Sequence, residues 1–236
     1  MKAFLLAGGR GERLRPLTDT VPKCLAPVAG RPLLAWWLDL CRREGITDVL
    51  LNVSHHFEAV DAFLASRAGK VGPAVTVVRE TEPAGTATTV RRARQFVEDE
   101  GDFLVLYADN LSDVRLAPMA AVHRGHDDPL TVGLFRTAFP KASGIVSLDP
   151  SGRIVAFVEK PEHPDGNLAN AGVYLARGGL LEAIPDGPGL VDFGHHVLPA
   201  LVGRMHGYVI PEFHEDIGTP ERLTTAAAAW HARTTR

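Results

Sequence analysis

The sequence predicts an α/β protein with a mostly parallel, mixed central sheet. Three observations lead there. Apolar strand-like runs alternate with amphipathic helix-like stretches through the first half of the chain. Those runs are apolar almost throughout, not at every second position. From Asp128 onward the links between strand-like runs shorten. The alternation implies right-handed βαβ units. Continuously apolar strands are what a sheet covered on both faces requires. The shorter links predict that the second half is a mixed continuation of the same sheet, not a separate domain.

Each element has a local reason. Lys2–Ala7, "KAFLLA", reads as a buried strand. Pro32–Gly45 reads as a helix, with proline at its start, glycine at its end and an apolar face between. Asp48–Ser54 is strand-like, His56–Arg67 suits an amphipathic helix, Ala74–Glu80 is another strand and Thr86–Glu98 another helix. Asp102–Asn110, "DFLVLYADN", reads as a fully buried strand running into an acidic turn. Strands are expected in "DPLTVGLFR", "GIVSLDPSGRIVAFVEKP" and "NAGVYLA", with "DPSG" as a hairpin turn. The tail from Glu221 reads as a short, fraying helix.

The chain has 236 residues, and its 45% hydrophobic and 22% charged content is ordinary for a soluble domain with a sizeable core. No Pro-, Ser- or charge-rich linker and no internal repeat divides it. A single domain over 1–236 is expected, with ligand-binding parts at about 1–115 and 116–236. The net charge of −3 argues against a general nucleic-acid binder. No apolar run approaches the roughly 18–20 residues of a membrane span, and "MKAFLLAGG" is not a secretory signal. Cys24 and Cys41 form no recognisable metal spacing and read as free thiols, so a cytoplasmic location is expected. The ten histidines include no local zinc spacing and read as structural or surface residues.

Against this mild acidity, one stretch stands out. Leu5–Leu34 carries four glycines and five cations, Arg10, Arg13, Arg15, Lys23 and Arg31, offset only by Glu12 and Asp19. Glycines let backbone N–H groups approach phosphate oxygens, and arginine forks match those oxygens. A loop after a parallel strand is also where open α/β sheets bind ligands. The stretch fits neither GxxxxGK[ST] nor GxGxxG, because Gly9-Arg10-Gly11 is followed by Glu12, Arg13 and Leu14. Pro16 and Pro22 argue for an extended excursion, not an immediate helix. A triphosphate is a good candidate for the polyanion, and an incidental surface loop is the plain alternative.

"LAGGRGERLRPLT...PKCLAPV" resembles the GGxGxRLxPLT and PKxLxPV signature of the sugar-phosphate nucleotidylyltransferases, or NDP-sugar pyrophosphorylases, at every fixed position. Five further segments follow in that family's order: "EPAGTAT" (Glu82–Thr88), "YADN" (Tyr107–Asn110), "FVEKP" (Phe157–Pro161), "NAGVYL" (Asn170–Leu175) and "HEDIGTPERL" (His214–Leu223). The resemblance implies a Rossmann-like three-layer fold of compact single-domain type without a C-terminal β-helix. It implies the reaction NTP + sugar 1-phosphate ⇌ NDP-sugar + pyrophosphate, assisted by Mg²⁺. The implied partners are a nucleoside triphosphate and a sugar 1-phosphate, with no nucleic acid or membrane; homo-oligomer formation stays open.

The implied nucleotide site comprises Leu6, Ala7, Gly8, Gly9, Gly11, Arg13, Lys23, Glu82, Gly85 and Thr86. Arg13, Lys23, Asp109 and Lys160 are the implied catalytic residues, and Asp109 and Asp216 the implied metal ligands. Glu159, Lys160, Asn170 and Gly172 would meet the sugar phosphate. Arg10 and Arg15 read equally as ligands or as solvated charges. The compact chain resembles members such as mannose- and heptose-1-phosphate guanylyltransferases, and "GTAT" is similar to the GTA-containing segments of purine-using branches, which favours GTP slightly. A UTP- or dTTP-using member and a nucleotide-binding regulatory homologue are the alternatives. Ala84, Thr88, Ala108 and Cys24 depart from the residues common at those positions. The missing GxGxxG turn speaks against a dinucleotide-dependent oxidoreductase.

Overall fold

The computed structural model describes the whole chain except Pro83, Pro188, Thr235 and Arg236. The strands are β1 (Lys2–Leu6), β2 (Pro27–Val28), β3 (Arg31–Pro32), β4 (Asp48–Val53), β5 (Ala74–Arg79), β6 (Asp102–Tyr107) and β7 (Asn110–Ser112). They continue with β8 (Leu130–Arg136), β9 (Gly144–Leu148), β10 (Ile154–Glu159), β11 (Leu168–Arg177), β12 (Met205–Val209) and β13 (His214–Asp216). The helices are α1 (Leu33–Arg43), α2 (Phe57–Ser66), α3 (Thr86–Arg92), α4 (Leu116–Arg124), α5 (Gly179–Ala183), α6 (Leu198–Ala200) and α7 (Pro220–Thr234). Contacts divide the chain into two units. One holds Phe4–Pro83, Tyr107–Asp113 and Phe213–Arg236; the other holds Met1–Ala3, Ala84–Leu106 and Val114–Glu212.

In the unit carrying the glycine-rich loop, β1 lies beside β4, and β4 pairs in parallel with β5 from Asp48↔Ala74 to Val53↔Arg79. Helix α1 buries Leu33, Leu34, Trp37, Leu38 and Cys41, the spacing of one helical face. It stops where the sequence places glycine. Gly45 has φ +75°, its N–H bonds Arg42 O and the Ile46 N–H bonds Cys41 O. That pair is the Schellman arrangement, satisfying two carbonyls the helix leaves open. Trp37 donates Nε1–H to Asn110 O at 2.8 Å, which fixes the start of β7. Strand β13 then pairs antiparallel with β7, setting Asp216 opposite Asn110.

In the other unit, β11 is the central strand. It runs antiparallel to β6 and β8 and meets β9 at Ala169↔Ile145. β9 and β10 form the expected hairpin, its turn closed by Gly152 N–H to Asp149 O and by three bonds to Asp149 Oδ1. β12 joins β8 in parallel.

Three local expectations are corrected. The early loop is not extended but coils into three 3-10 turns, Glu12–Leu14, Leu17–Asp19 and Lys23–Leu25. Pro16 and Pro22 each occupy the position before such a turn, where a fixed φ favours the start of a coil. The helix expected over Thr86–Glu98 ends at Arg92, and Arg94–Val97 tightens into a 3-10 turn, as helix C-termini often do. The tail forms a helix of 15 residues. Its Trp230 stacks edge-on against Trp36 and Phe213, so burial holds it where propensity alone would fray. Thr235 and Arg236 of that tail, and Pro83 of "EPAGTAT", lie outside the described residues.

Candidate active site

Strand β1 delivers the chain to the loop, leaving Leu6 and Ala7 buried at its end. Asn52, itself buried, accepts the Ala7 N–H at 2.8 Å and donates to Glu80 at 3.0 Å. Ser54 donates to Gly8 O at 2.6 Å. The strand end is thus fastened from β4, and the glycines follow from a fixed point. Gly11 takes φ +65°, and a Cβ there would meet Thr18 Cγ2 at 2.9 Å and Lys23 Cβ at 3.2 Å. Leu14 is fully buried, worth roughly 2 kcal/mol; it anchors the first turn and leaves Arg13 exposed.

Gly9, Arg10, Gly11, Glu12, Arg13, Lys23, Asp109 and Gly218 line one cavity of about 440 Å³. Lys23 is only 6% exposed, and its Nζ reaches Asp109 Oδ2 at 2.9 Å. Arg10 belongs to the cavity and is felt at His55, whose pKa is lowered by burial first, then by His56 and Arg10. Arg15 instead pairs with Asp19 at 3.2 Å on the exposed outer side of the loop, as a solvated charge would.

Asp216 is not one of the residues lining that cavity but bonds to one of them, Gly218. Its Oδ1 accepts the Gly218 N–H at 2.7 Å, and its Oδ2 accepts from Arg222 at 2.5 Å. A Cβ on Gly218 would lie 2.8 Å from Asp216 Oδ1 and 2.9 Å from Arg13 Nη2, so glycine alone lets that carboxylate and guanidinium close over the backbone. His214, opposite Ser112 on the same strand pair, is buried; burial lowers its pKa to about 4 although Asp109 pulls upward. Glu215 is raised, by burial and then by Asp216. Asp109, in the turn between β6 and β7, and Asp216, at the end of β13, present hard carboxylate oxygens, and each oxygen held by a cation or N–H keeps a second lone pair. The donor set therefore fits a divalent cation of the magnesium kind.

The other unit carries the remaining expected residues except Glu82, which belongs to the unit of the glycine-rich loop. Glu159 ends β10, and Cβ atoms on Gly144 and Gly194 would each touch its carboxylate, at 2.6 and 2.8 Å, so two glycines make room for it. Lys160 follows with φ +47°, a conformation uncommon for residues other than glycine, and its Nζ lies 3.7 Å from Glu159 Oε1. Asn170 donates to Tyr174 OH at 2.8 Å and accepts the Gly172 N–H at 3.0 Å. Gly172, φ +65°, sits within the irregularity of β11 between Asn170 and Tyr174. Gly85 has φ +85°, and its Cβ position would strike Val191 O at 2.7 Å. Thr86 gives both its N–H and its hydroxyl to Asp192 Oδ1, at 2.9 and 3.1 Å. Glu82 is exposed.

Sequence reasoning missed Asn52, Asp192, Gly194, Gly218 and Arg222, which hold these groups in place. Gly218 and Arg222 lie inside "HEDIGTPERL", so a closer reading of that segment could have found them. Asn52 and Asp192 carry no local signal.

The sequence profile of the nucleotidyl transferase family matches residues 2–233, nearly the whole chain. The chain belongs to this family. Among curated members, a mannose-1-phosphate guanyltransferase of Neurospora crassa is 31% identical over 241 residues, covering 100% of this chain and 66% of its own length. Mannose-1-phosphate guanylyltransferase 1 of Arabidopsis thaliana is 33% identical over 228 residues, covering 95% of this chain and 63% of its own length. The chain thus spans somewhat under two thirds of the curated relatives it matches. A crystal structure of a provisionally named glucose-1-phosphate thymidylyltransferase from Bacillus anthracis superposes with a TM-score of 0.86 at 24% identity, covering 98% of this chain and 95% of that one. That likeness establishes the fold: a Rossmann-like α/β nucleotidyltransferase, as the sequence predicts. Transfer at phosphorus needs positioning and charge neutralisation more than a protein nucleophile.

Proposed function

We propose that this nucleotidyl transferase joins a nucleoside triphosphate to a sugar 1-phosphate, releasing pyrophosphate, with GTP as the nucleotide. The observation that carries this reading is the cavity in which Lys23, Asp109 and Arg13 meet on the glycine-rich loop. The guanylyl specificity of the named relatives supports GTP.

An oxygen of the sugar 1-phosphate attacks the α-phosphorus, and the bond from that phosphorus to the bridging oxygen of the β-phosphate breaks. Pyrophosphate leaves with the electron pair, so atoms and charge balance without a covalent enzyme intermediate. Arg13 and Lys23 grip the triphosphate and neutralise charge as it gathers on the leaving group. Gly8, Gly9 and Gly11, with Leu6 and Ala7, lay backbone against the nucleotide, and Glu82, Gly85 and Thr86 line the base. Lys160 orients the 1-phosphate, while Glu159, Asn170 and Gly172 receive the sugar hydroxyls. Asp109 and Asp216 would hold Mg²⁺, which when bound supplies positive charge to phosphate oxygens. Among the described residues no helix is long and apolar enough to cross a membrane; we place the reaction in the cytoplasm.

The test is pyrophosphate release with Mg²⁺ from GTP, ATP, UTP, CTP and dTTP against a panel of sugar 1-phosphates, with Asp109→Asn alongside. Release with GTP and one sugar phosphate, lost in Asp109→Asn, is expected. Release with UTP or dTTP alone would overturn the choice of base. Nucleotide binding without pyrophosphate release across the panel would overturn the activity.

A further inference from the structure

A second cluster lies in the unit that holds Glu159 and Lys160, built from residues the proposed reaction does not use. His206 on β12 is 8% exposed. His126 and Asp128 belong to the link between α4 and β8. One potential ligand atom from each of the three lies within 4.8 Å of the others. His206 Nδ1 stands 3.0 Å from Asp128 Oδ2, and the rings of His126 and His206 stack with centroids 4.0 Å apart.

Their hydrogen bonding sets them apart. His126 Nδ1, Asp128 Oδ2 and His206 Nδ1 are all buried, and none makes a hydrogen bond. Asp128 Oδ2 has the Arg153 guanidinium 2.9 Å away and His206 Nδ1 at 3.0 Å, so the buried atom that most needs a partner of another kind is His126 Nδ1. The opposite edge of the His126 ring is held, its Nε2 lying 2.8 Å from Thr131 Oγ1. The same hydroxyl lies 2.7 Å from His123 Nδ1. One hydroxyl can accept from His126 and donate to His123, which leaves the His126 Nδ1 lone pair facing the cluster. A ring fixed through its far nitrogen is the usual support of a metal-ligating histidine.

We propose that His126, Asp128 and His206 form a site for a transition-metal cation of the zinc type, separate from the carboxylates of the active site. Two imidazoles and one carboxylate make a donor set suited to zinc or cobalt rather than magnesium, with water completing the coordination. The ion ties the link before β8 to β12, and its role is structural. Arg153 is the built-in competitor, with Nη1 2.9 Å from Asp128 Oδ2. The same Nη1 donates to Gly203 O at 2.6 Å, so Arg153 keeps a partner when the carboxylate turns to a cation. The inference is independent of the proposed reaction.

The test is titration of the metal-free full chain with Zn²⁺ and Co²⁺. Calorimetry gives stoichiometry, and cobalt d–d absorption reports nitrogen and oxygen ligation. One equivalent is expected, with a rise in Tm. His126→Ala and His206→Asn should each weaken binding by more than the roughly 10- to 100-fold that an outer-shell loss costs, and Thr131→Val should fall within that range. Arg153→Gln, which leaves every ligand in place, should tighten binding, and Asp109→Asn should leave it unchanged. A featureless cobalt titration of the parent chain would overturn the proposal. So would full-strength binding in His206→Asn, or no gain in Arg153→Gln.

Discussion

Lys23 and Asp109 stand 86 positions apart in sequence and meet at 2.9 Å, a nearly buried ammonium against a carboxylate whose side chain is 44% exposed. The asymmetry has consequences. Lys23 has given up most of its hydration and depends on an anion, whereas Asp109 stays open to water and to whatever enters the cavity. An arriving triphosphate can take over Lys23 while Asp109 turns to a cation. Lys23→Met keeps the aliphatic stem and removes the charge. Asp109 remains hydrated, so the stability cost should stay under about 2 kcal/mol. Turnover should fall about 10²–10³-fold, the range for removing one transition-state charge partner. Parallel measurement of Tm and pyrophosphate release checks this; loss of both together would mean the pair serves the fold.

Two glycines of the same cavity should respond differently to one added methyl. Gly11 has φ +65° with Thr18 and Lys23 against it, so Gly11→Ala meets both backbone strain and a clash. It should cost about 1–2 kcal/mol from the left-handed backbone alone and displace Lys23. Gly218 has no such φ; the atoms nearest its Cβ position are the tips of Arg13 and Asp216. Gly218→Ala should leave Tm nearly unchanged and lower turnover at least about tenfold, the size of a 1.4 kcal/mol loss in transition-state binding. Thermal melts beside kinetics separate the two. A Gly218→Ala enzyme of full activity would remove Arg13 and Asp216 from the reaction.

The contrast shows what the chain discloses before folding. The glycine-rich turn, the strand ending at Tyr107 and the hairpin at Asp149–Gly152 are local, written as contiguous patterns of apolar runs, glycine and proline. The groups that hold the site are not. Thr86 finds Asp192 across 106 positions, and Ala7 finds Asn52 across 45. No spacing rule links such partners, because the sheet order brings them together. The histidines show the same limit. His126 and His206 are unremarkable in sequence and join only because β12 returns beside β8. The tail helix was underestimated for a related reason, since Trp230 earns its place through Trp36 and Phe213, neither adjacent in sequence.

Cys24 and Cys41 are free and buried, and burial pushes both thiols up to about 12, against an opposing backbone hydrogen bond. The sign of the linkage follows directly. Above pH 9 the unfolded thiols lose protons that the folded ones keep, so stability falls as pH rises from 9 toward 12, by at most about 1.4 kcal/mol per pH unit for each thiol. A Cys24→Ala, Cys41→Ala double variant should show a shallower decline of Tm over that window. Native protein at pH 8 should leave a disulfide reagent unreacted over minutes, and unfolded protein should react at both thiols. Rapid reaction of the native protein would contradict the burial.

Lys160 tests whether strained backbone serves function. At φ +47° it holds a conformation that costs an L-residue about 1–2 kcal/mol. Its 3.7 Å contact with Glu159, more than half exposed on the lysine side, returns less than about 1 kcal/mol. Nothing in that balance favours lysine over glycine for the fold. Lys160→Gly should therefore raise Tm slightly while raising the KM for the sugar phosphate, with nucleotide affinity unchanged. Lys160→Ala keeps the strain and should show the kinetic loss without the gain in stability. Equilibrium nucleotide binding, melts and sugar-phosphate kinetics on both variants decide the matter. A selective loss of nucleotide binding would place Lys160 on the triphosphate, and unchanged kinetics in both variants would leave it outside the reaction.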